Sequence, residues 1–109
     1  MDTSPVYLGN KELLNMRKVG FLASRKISTL SILPTLDWAL KISKQKNIAI
    51  VSGFHSKMER DVLKILLQGE CGIIVVLARG MYSKLPKQYE ESMSQNRLLI
   101  ISYEKESVT

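Results

Sequence analysis

The sequence predicts an α/β fold, a three-layer Rossmann-like domain built on a short, mostly parallel sheet of about four strands. Three observations carry this. Short apolar segments, mostly rich in Val, Ile or Leu, recur four times along the chain, and stretches of helical pattern separate them. These segments lack strict polar alternation, as strands buried on both faces do. Regular strand–helix alternation implies right-handed crossovers and parallel neighbours.

The elements follow in order. The first strand is Val19–Ala23, inside "VGFLASRK". Ser28 can cap a helix that runs to about Gln45, with Leu30, Leu33, Asp37, Leu40 and Lys44 among its rows. Pro34 falls inside it and is expected to kink it or delay its start. Trp38, with Leu30, Leu36 and Leu40 nearby, is expected to be at least partly buried against the sheet. Ile48–Ser52 is the second strand. The second helix begins near Ser56 or Lys57, carries the apolar stripe Val62, Leu63, Leu66 and Leu67, and stops at Gly69. Ile73–Ala78 is the third strand. A weaker helix from about Gln88 to Ser94 follows Pro86, and Leu98–Ser102 is the last strand. No repeat, low-complexity tract or linker divides the chain, so residues 1–109 are expected to form one domain.

Composition bounds the function. The chain carries 16 Lys plus Arg against 10 Asp plus Glu, a net charge of +6. That excess suits a polyanionic partner, although many basic proteins have none. A single cysteine, Cys71, excludes an internal disulfide framework and a four-cysteine metal site, and reads as a small buried residue. The longest apolar run, Gly72 to Ala78, is far too short to span a bilayer. The first residues lack a signal pattern. A cytoplasmic protein with no membrane partner is expected.

In parallel sheets ligands bind beyond the carboxyl ends of the strands. Three loops are expected there: Ser24-Arg25-Lys26 after the first strand, Ser52-Gly53-Phe54-His55-Ser56-Lys57 after the second, and Ala78 to Lys84, with Arg79 and Gly80, after the third. Together they bring Arg25, Lys26, His55, Lys57, Arg79 and Lys84 to one rim, with no acidic residue before Glu59. Two helix N-termini open onto this rim with unpaired N–H groups and a partial positive charge. Gly53 and Gly80 allow close approach of an anion to the main chain, and the serines can cap or donate. The chemistry favours a phosphate. Singly, each residue also fits a plainer role: Ser28 and Ser56 as caps, the glycines as turn residues, the cations as solvated surface.

The same residues carry a resemblance. "LGNKELLN" at 8–15, "VGFLASRK" at 19–26, "IAIVSGFHSKMERDVLKIL" at 48–66, "IIVVLARGMYSKLP" at 73–86 and "RLLIISYEKE" at 97–106 follow one another as in the Rossmann-like core of the DprA/Smf family of DNA-processing proteins. The resemblance implies binding of single-stranded DNA through its phosphates, with Ser24, Arg25, Ser52, Gly53 and Phe54 in the basic pocket. Backbone contact with phosphate, and Phe54 stacking on a base, supply the physical basis; Phe54 fits equally well as a cover for the sheet. It also implies a recombinase partner, by resemblance only. The chain departs from the pattern at Ala23, where the family has Gly, at His55, and at Lys57-Met58-Glu59, where the family has G-[IL]-D. It also stops near Thr109, before the second half of the family's domain. Without that half the expected sheet order is fourth, third, second, first. Val19–Ala23 is then an edge, to be covered either by Met1–Met16 or by a second copy in a homodimer, the latter favoured.

An enzyme finds little support. The P-G-G-x-G-T-x-x-E segment of Rossmann-like phosphoribohydrolases is missing, as are a P-loop, a G-x-G-x-x-G and a nucleophile elbow. His55 has only Glu59 in local reach, a spacing typical of a cap or a solvated pair. His55 with Cys71 gives at most two zinc ligands. No catalytic residue, metal or cofactor is expected. The preferred reading is a single-stranded DNA-binding module, and the alternative is a binder of, or an enzyme for, a nucleotide or another phosphorylated ligand at the same rim. A protein-interaction module would need an exposed apolar patch, and none is identifiable from sequence.

Overall fold

The computed structural model describes residues 4–24 and 28–104. The elements run β1 (Val6–Gly9), a 3-10 turn (Lys11–Asn15), β2 (Arg17–Gly20), α1 (Thr29–Ile42), β3 (Ile48–Ser52), α2 (Lys57–Leu67), β4 (Gly72–Gly80), a 3-10 turn (Lys87–Tyr89), α3 (Glu90–Ser94) and β5 (Leu98–Glu104). They form one five-stranded sheet in the order β1-β5-β4-β3-β2. The pairs β2–β3, β3–β4 and β4–β5 are parallel, and β1 joins β5 antiparallel. The fold is therefore α/β with a mostly parallel sheet, and the four expected strands lie in the expected order.

Three expectations need correction. The sheet has a fifth strand, because Val6–Gly9 pairs with β5 from Val6↔Ser102 to Gly9↔Leu99. The N-terminal segment thus covers the β5 edge, and β2 has no second partner strand among the described residues. Gly9 makes this turn possible. Its φ is +116°, and a Cβ there would overlap the Leu98 carbonyl oxygen, which instead accepts from the Asn10 N–H at 2.9 Å. Asn10 then caps the first 3-10 turn, its Oδ1 accepting from the Glu12 N–H at 3.1 Å.

Second, the strand limits shift. The first parallel strand is Arg17–Gly20, not Val19–Ala23, since its ladder ends where the Phe21 N–H donates to the Val51 carbonyl. In the middle of the sheet, β4 continues through Ala78 and Arg79 to Gly80, so the third loop begins only at Met81.

Third, the layers are unequal. Four strands placed side by side by same-handed crossovers put every helix on one face. Ile48, Ile50, Ile73, Val75, Leu98 and Ile100 point into that face and meet Ala39 and Ile42 of α1, Val62, Leu63 and Leu66 of α2, and Tyr89. The alternate residues Ala49, Ile74, Leu99 and Ile101 point the other way and meet Leu13 of the first 3-10 turn, with Tyr7, Leu14 and Met16 beside it. The third layer is one short turn rather than a row of helices. The three inner strands β3, β4 and β5 are buried on both faces in their middles, which explains why they read as continuously apolar.

The helices follow their sequence signals. Ser28 caps α1 by accepting from the Leu30 N–H at 3.2 Å, and Pro34 lies within the helix. Ser56 and Glu59 form a full capping box on α2. At the far end of α2, Arg97 reaches back to three carbonyls, those of Cys71 at 2.7 Å, Leu67 at 2.8 Å and Leu66 at 3.3 Å. A guanidinium there satisfies orphan acceptors and complements the negative end of the helix. Cys71 is fully buried, and burial pushes its thiol up to about 11. Trp38 is half-buried and stacks on Phe21 with ring centroids 5.3 Å apart, as a partly buried core aromatic would.

Candidate nucleic-acid interface

The rim at the carboxyl ends of β2 and β3 is organised by one acidic side chain. Glu59 sits in the first turn of α2 and is only 3% exposed. Its Oε1 accepts from the His55 N–H at 2.8 Å and the Ser56 N–H at 3.1 Å, and its Oε2 accepts from the Ala23 N–H at 3.0 Å. One carboxylate therefore ties the loop after β2 to the loop after β3. Burial alone would raise its pKa, but the amide N–H groups of Ala23, Ser56 and His55, with the His55 charge, outweigh burial and hold it below the usual value of 4.5. The sequence signal for this was the spacing Ser56-Lys57-Met58-Glu59.

This changes the chemistry of the rim. The amides of Ala23, His55 and Ser56 are engaged by an internal anion. Those three amides are therefore not open to an external anion. Ser24, His55 and Lys57 are exposed there. The Lys57 Nζ reaches the Asp61 carboxylate at 3.1 Å, with 82% of the lysine side chain exposed. Arg25 and Lys26 lie outside the described residues.

The remaining residues of this loop turn inward. Ser52 is buried, and its Oγ accepts from the Phe54 N–H at 3.1 Å. Phe54 has a φ of +53° and is only 5% exposed, packed in the core with Met58 and Leu77. Of the two roles open to it from sequence, the structure adopts the cover; in this conformation no face is available to a base. Gly53 lies against the His55 ring, and a Cβ there would come within 2.7 Å of His55 Cδ2.

Arg79 and Gly80 stand apart from this group. Ser52 pairs with Val75, so Arg79 lies about 13 Å further along its strand at ~3.3 Å per residue. There its guanidinium lies 4.9 Å over the Tyr82 ring and its Nε donates to the Gly80 carbonyl at 3.2 Å. Gly80 is buried at a shift in register between β4 and β5. The rim is thus stepped: residues 24 and 52–57 form the lower level, and residues 79–84 the upper.

The structure also supplies the apolar patch that the sequence did not reveal. Leu22 is 90% exposed, Leu30 86% and Leu33 75%. Beside the open edge of β2, an apolar groove of about 360 Å³ is lined by Phe21, Leu30, Ser31, Pro34, Thr35 and Trp38. Among the described residues, no group of His, Cys, Asp and Glu could hold a metal ion, and no helix is long and apolar enough to cross a membrane.

Fold and rim together define a Rossmann-like α/β module with a cationic, stepped end. A family model for DNA recombination-mediator protein A matches residues 3–108, and the chain belongs to that family. No curated protein matches it in sequence. Among solved structures it is similar in fold to DNA processing protein A (DprA) from Streptococcus pneumoniae, with a TM-score of 0.66 at 22% identity. That match covers 92% of this chain and 35% of the pneumococcal protein, so this chain spans about a third of that protein's length.

Proposed function

We propose that this chain is a cytoplasmic single-stranded DNA-binding module that holds phosphates at the lower rim. The side chains responsible are Ser24, Arg25, Lys26, His55 and Lys57, with Arg79 and Lys84 on the upper level. The observation that carries this reading is the exposure of His55 and Lys57 beyond β3, and of Arg79 and Lys84 on the upper level, in a basic chain that belongs to a DNA recombination-mediator family. Ser52, Gly53, Phe54, Ser56 and Gly80 shape the loops, and Glu59 fixes them. This reading is of a binding module and assigns no catalytic residue and no cofactor. A recombinase partner rests on family resemblance alone and has no surface assigned on this chain.

The test is fluorescence anisotropy with an oligothymidylate and with free nucleotides, each at two salt concentrations. Oligonucleotide binding that weakens steeply with salt is the expected result. Arg25→Ala and Lys57→Ala should each flatten the salt dependence by roughly 0.7 of a unit of slope. Salt-insensitive binding of a mononucleotide, with no gain for the oligomer, would favour a nucleotide site instead.

We also propose a homodimer formed across β2. A two-fold axis normal to the sheet would pair β2 with its own copy antiparallel and set the two α1 helices side by side. One operation would then cover both the bare ladder and the groove around Trp38.

A further inference from the structure

The outer face of α2 carries Lys57, Arg60, Asp61, Lys64 and Gln68, opposite its buried stripe. A cleft of about 240 Å³ lies between this face and the segment after Pro86, lined by Lys57, Arg60, Asp61, Leu63, Lys64 and Gln88. A second cleft of about 390 Å³ shares Lys64 and Gln88 and continues past Leu67 and Gln68 to Glu91. The shared residues make the two clefts one groove along α2. Of its acids, Asp61 pairs with Lys57 at 3.1 Å, while Glu91 lies at the far end, accepts from the neutral Gln95 amide at 3.3 Å and keeps its charge. Arg60 and Lys64 have no ion pair among the described residues, and Cys71 to Tyr89 contains no acidic residue.

We propose that this groove is a second nucleic-acid subsite, which takes the strand as it leaves the rim at Lys57. The inference rests on the proposed DNA-binding function and extends its footprint. Arg60 and Lys64 contact successive phosphates, while Leu67 and the amides of Gln68 and Gln88 face the bases. Over the 11 residues of α2 the groove is ~16 Å long at ~1.5 Å per residue. That length accommodates up to about five phosphates at the ~3.4 Å spacing of a stacked strand. An acidic polypeptide would satisfy the two cations equally, but it would leave the continuity with the rim unused.

The test compares oligothymidylates of about 6 and about 24 nucleotides, the first near the lower end of the ~4–16-nucleotide site sizes of single-strand-binding modules and the second beyond them. The variant is the double change Arg60→Ala and Lys64→Ala. Both side chains are exposed, so an unchanged thermal unfolding curve serves as the fold control. On the long oligomer the variant is expected to bind about tenfold more weakly at low salt, with the salt slope reduced by about 1.4, twice the ~0.7 per single-strand contact. The short oligomer, held at the rim, should bind as before. Wild-type behaviour of the variant on both lengths would overturn the subsite and leave the rim standing. Equal loss on both lengths would also overturn it, by making the two cations part of a general field. Failure of the wild-type protein to bind either oligomer would remove rim and subsite together; capture of polyglutamate dependent on Arg60 and Lys64 would then assign the groove to an acidic polypeptide.

Discussion

Glu59 occupies the place where an anion-binding loop would hold its ligand, and its three N–H partners come from two different loops. Removing it leaves those amides unpaired in a largely buried setting. Glu59→Ala is expected to cost about 2–3 kcal/mol, measured by denaturant titration, because charge-assisted bonds to backbone amides exceed neutral ones. Glu59→Gln keeps one acceptor oxygen and should cost less. The pH dependence has a definite sign. The folded-state pKa is depressed below 4.5, so this contribution is complete above the unfolded value and is lost as the pH falls through the folded one. Between neutral pH and pH 3 the wild-type protein should lose more stability than Glu59→Gln; parallel curves would show that the carboxylate charge is not what matters. The cap itself was legible, since Ser-x-x-Glu before an apolar stripe is a known helix start. Its reach to Ala23 was not, because that bond joins residues 36 apart in the chain. Nor was the fate of Phe54. Its positive φ and burial depend on the packing of Met58 and Leu77, which local sequence does not encode.

Among the elements, β3 and α2 were the most legible. Ile48–Ser52 carries unbroken apolar pattern, and Lys57–Leu67 carries a cap, a stripe and a stop. β1 was missed because four residues after a proline give too little periodicity, and its pairing is set 90 or more residues away by β5. The end of β4 was misjudged because Ala78-Arg79-Gly80 reads as a turn, whereas β5 extends alongside and keeps it in the ladder. Two tests belong here. Arg97 closes the end of α2 and stands away from the rim, so Arg97→Ala should lower stability by about 1–3 kcal/mol while leaving oligonucleotide affinity unchanged. A loss of affinity with no loss of stability would move Arg97 into the binding surface. The α1 groove is tested through its aromatic pair. Phe21→Ala should shift Trp38 emission to longer wavelength and cost about 1–3 kcal/mol, less than a fully buried aromatic, because Trp38 is only half-buried. An unaltered emission spectrum would show that the ring is shielded by something other than Phe21.

For the molecule as a whole, the bare edge of β2 and the exposed Leu22 and Leu30 argue for a partner, and the proposed partner is a second copy. Sedimentation at micromolar concentration should give twice the 12.3 kDa chain mass. Leu22→Lys with Leu30→Glu should return the protein to the monomer at unchanged secondary structure. A wild-type protein that sediments as a monomer over that range would end the proposal. A dimer of this kind would join the two sheets into one and, because β2 meets its copy antiparallel, set the two stepped rims at opposite ends of it.

The single-file strand order has a further consequence, in time rather than space. Because the strands stand in one row, solvent can reach the backbone ladder only from its two flanks. β4, hydrogen-bonded to β3 and β5 and covered on both faces, is the last to be reached. Deuterium uptake should therefore begin in the four-residue strand β2, pass to β3, and reach Ile73–Val76 only on global unfolding. Cross-linking the two copies at β2 would slow the first step alone. Uniform uptake across β2 and β4 would mean that the sheet opens as a single cooperative unit.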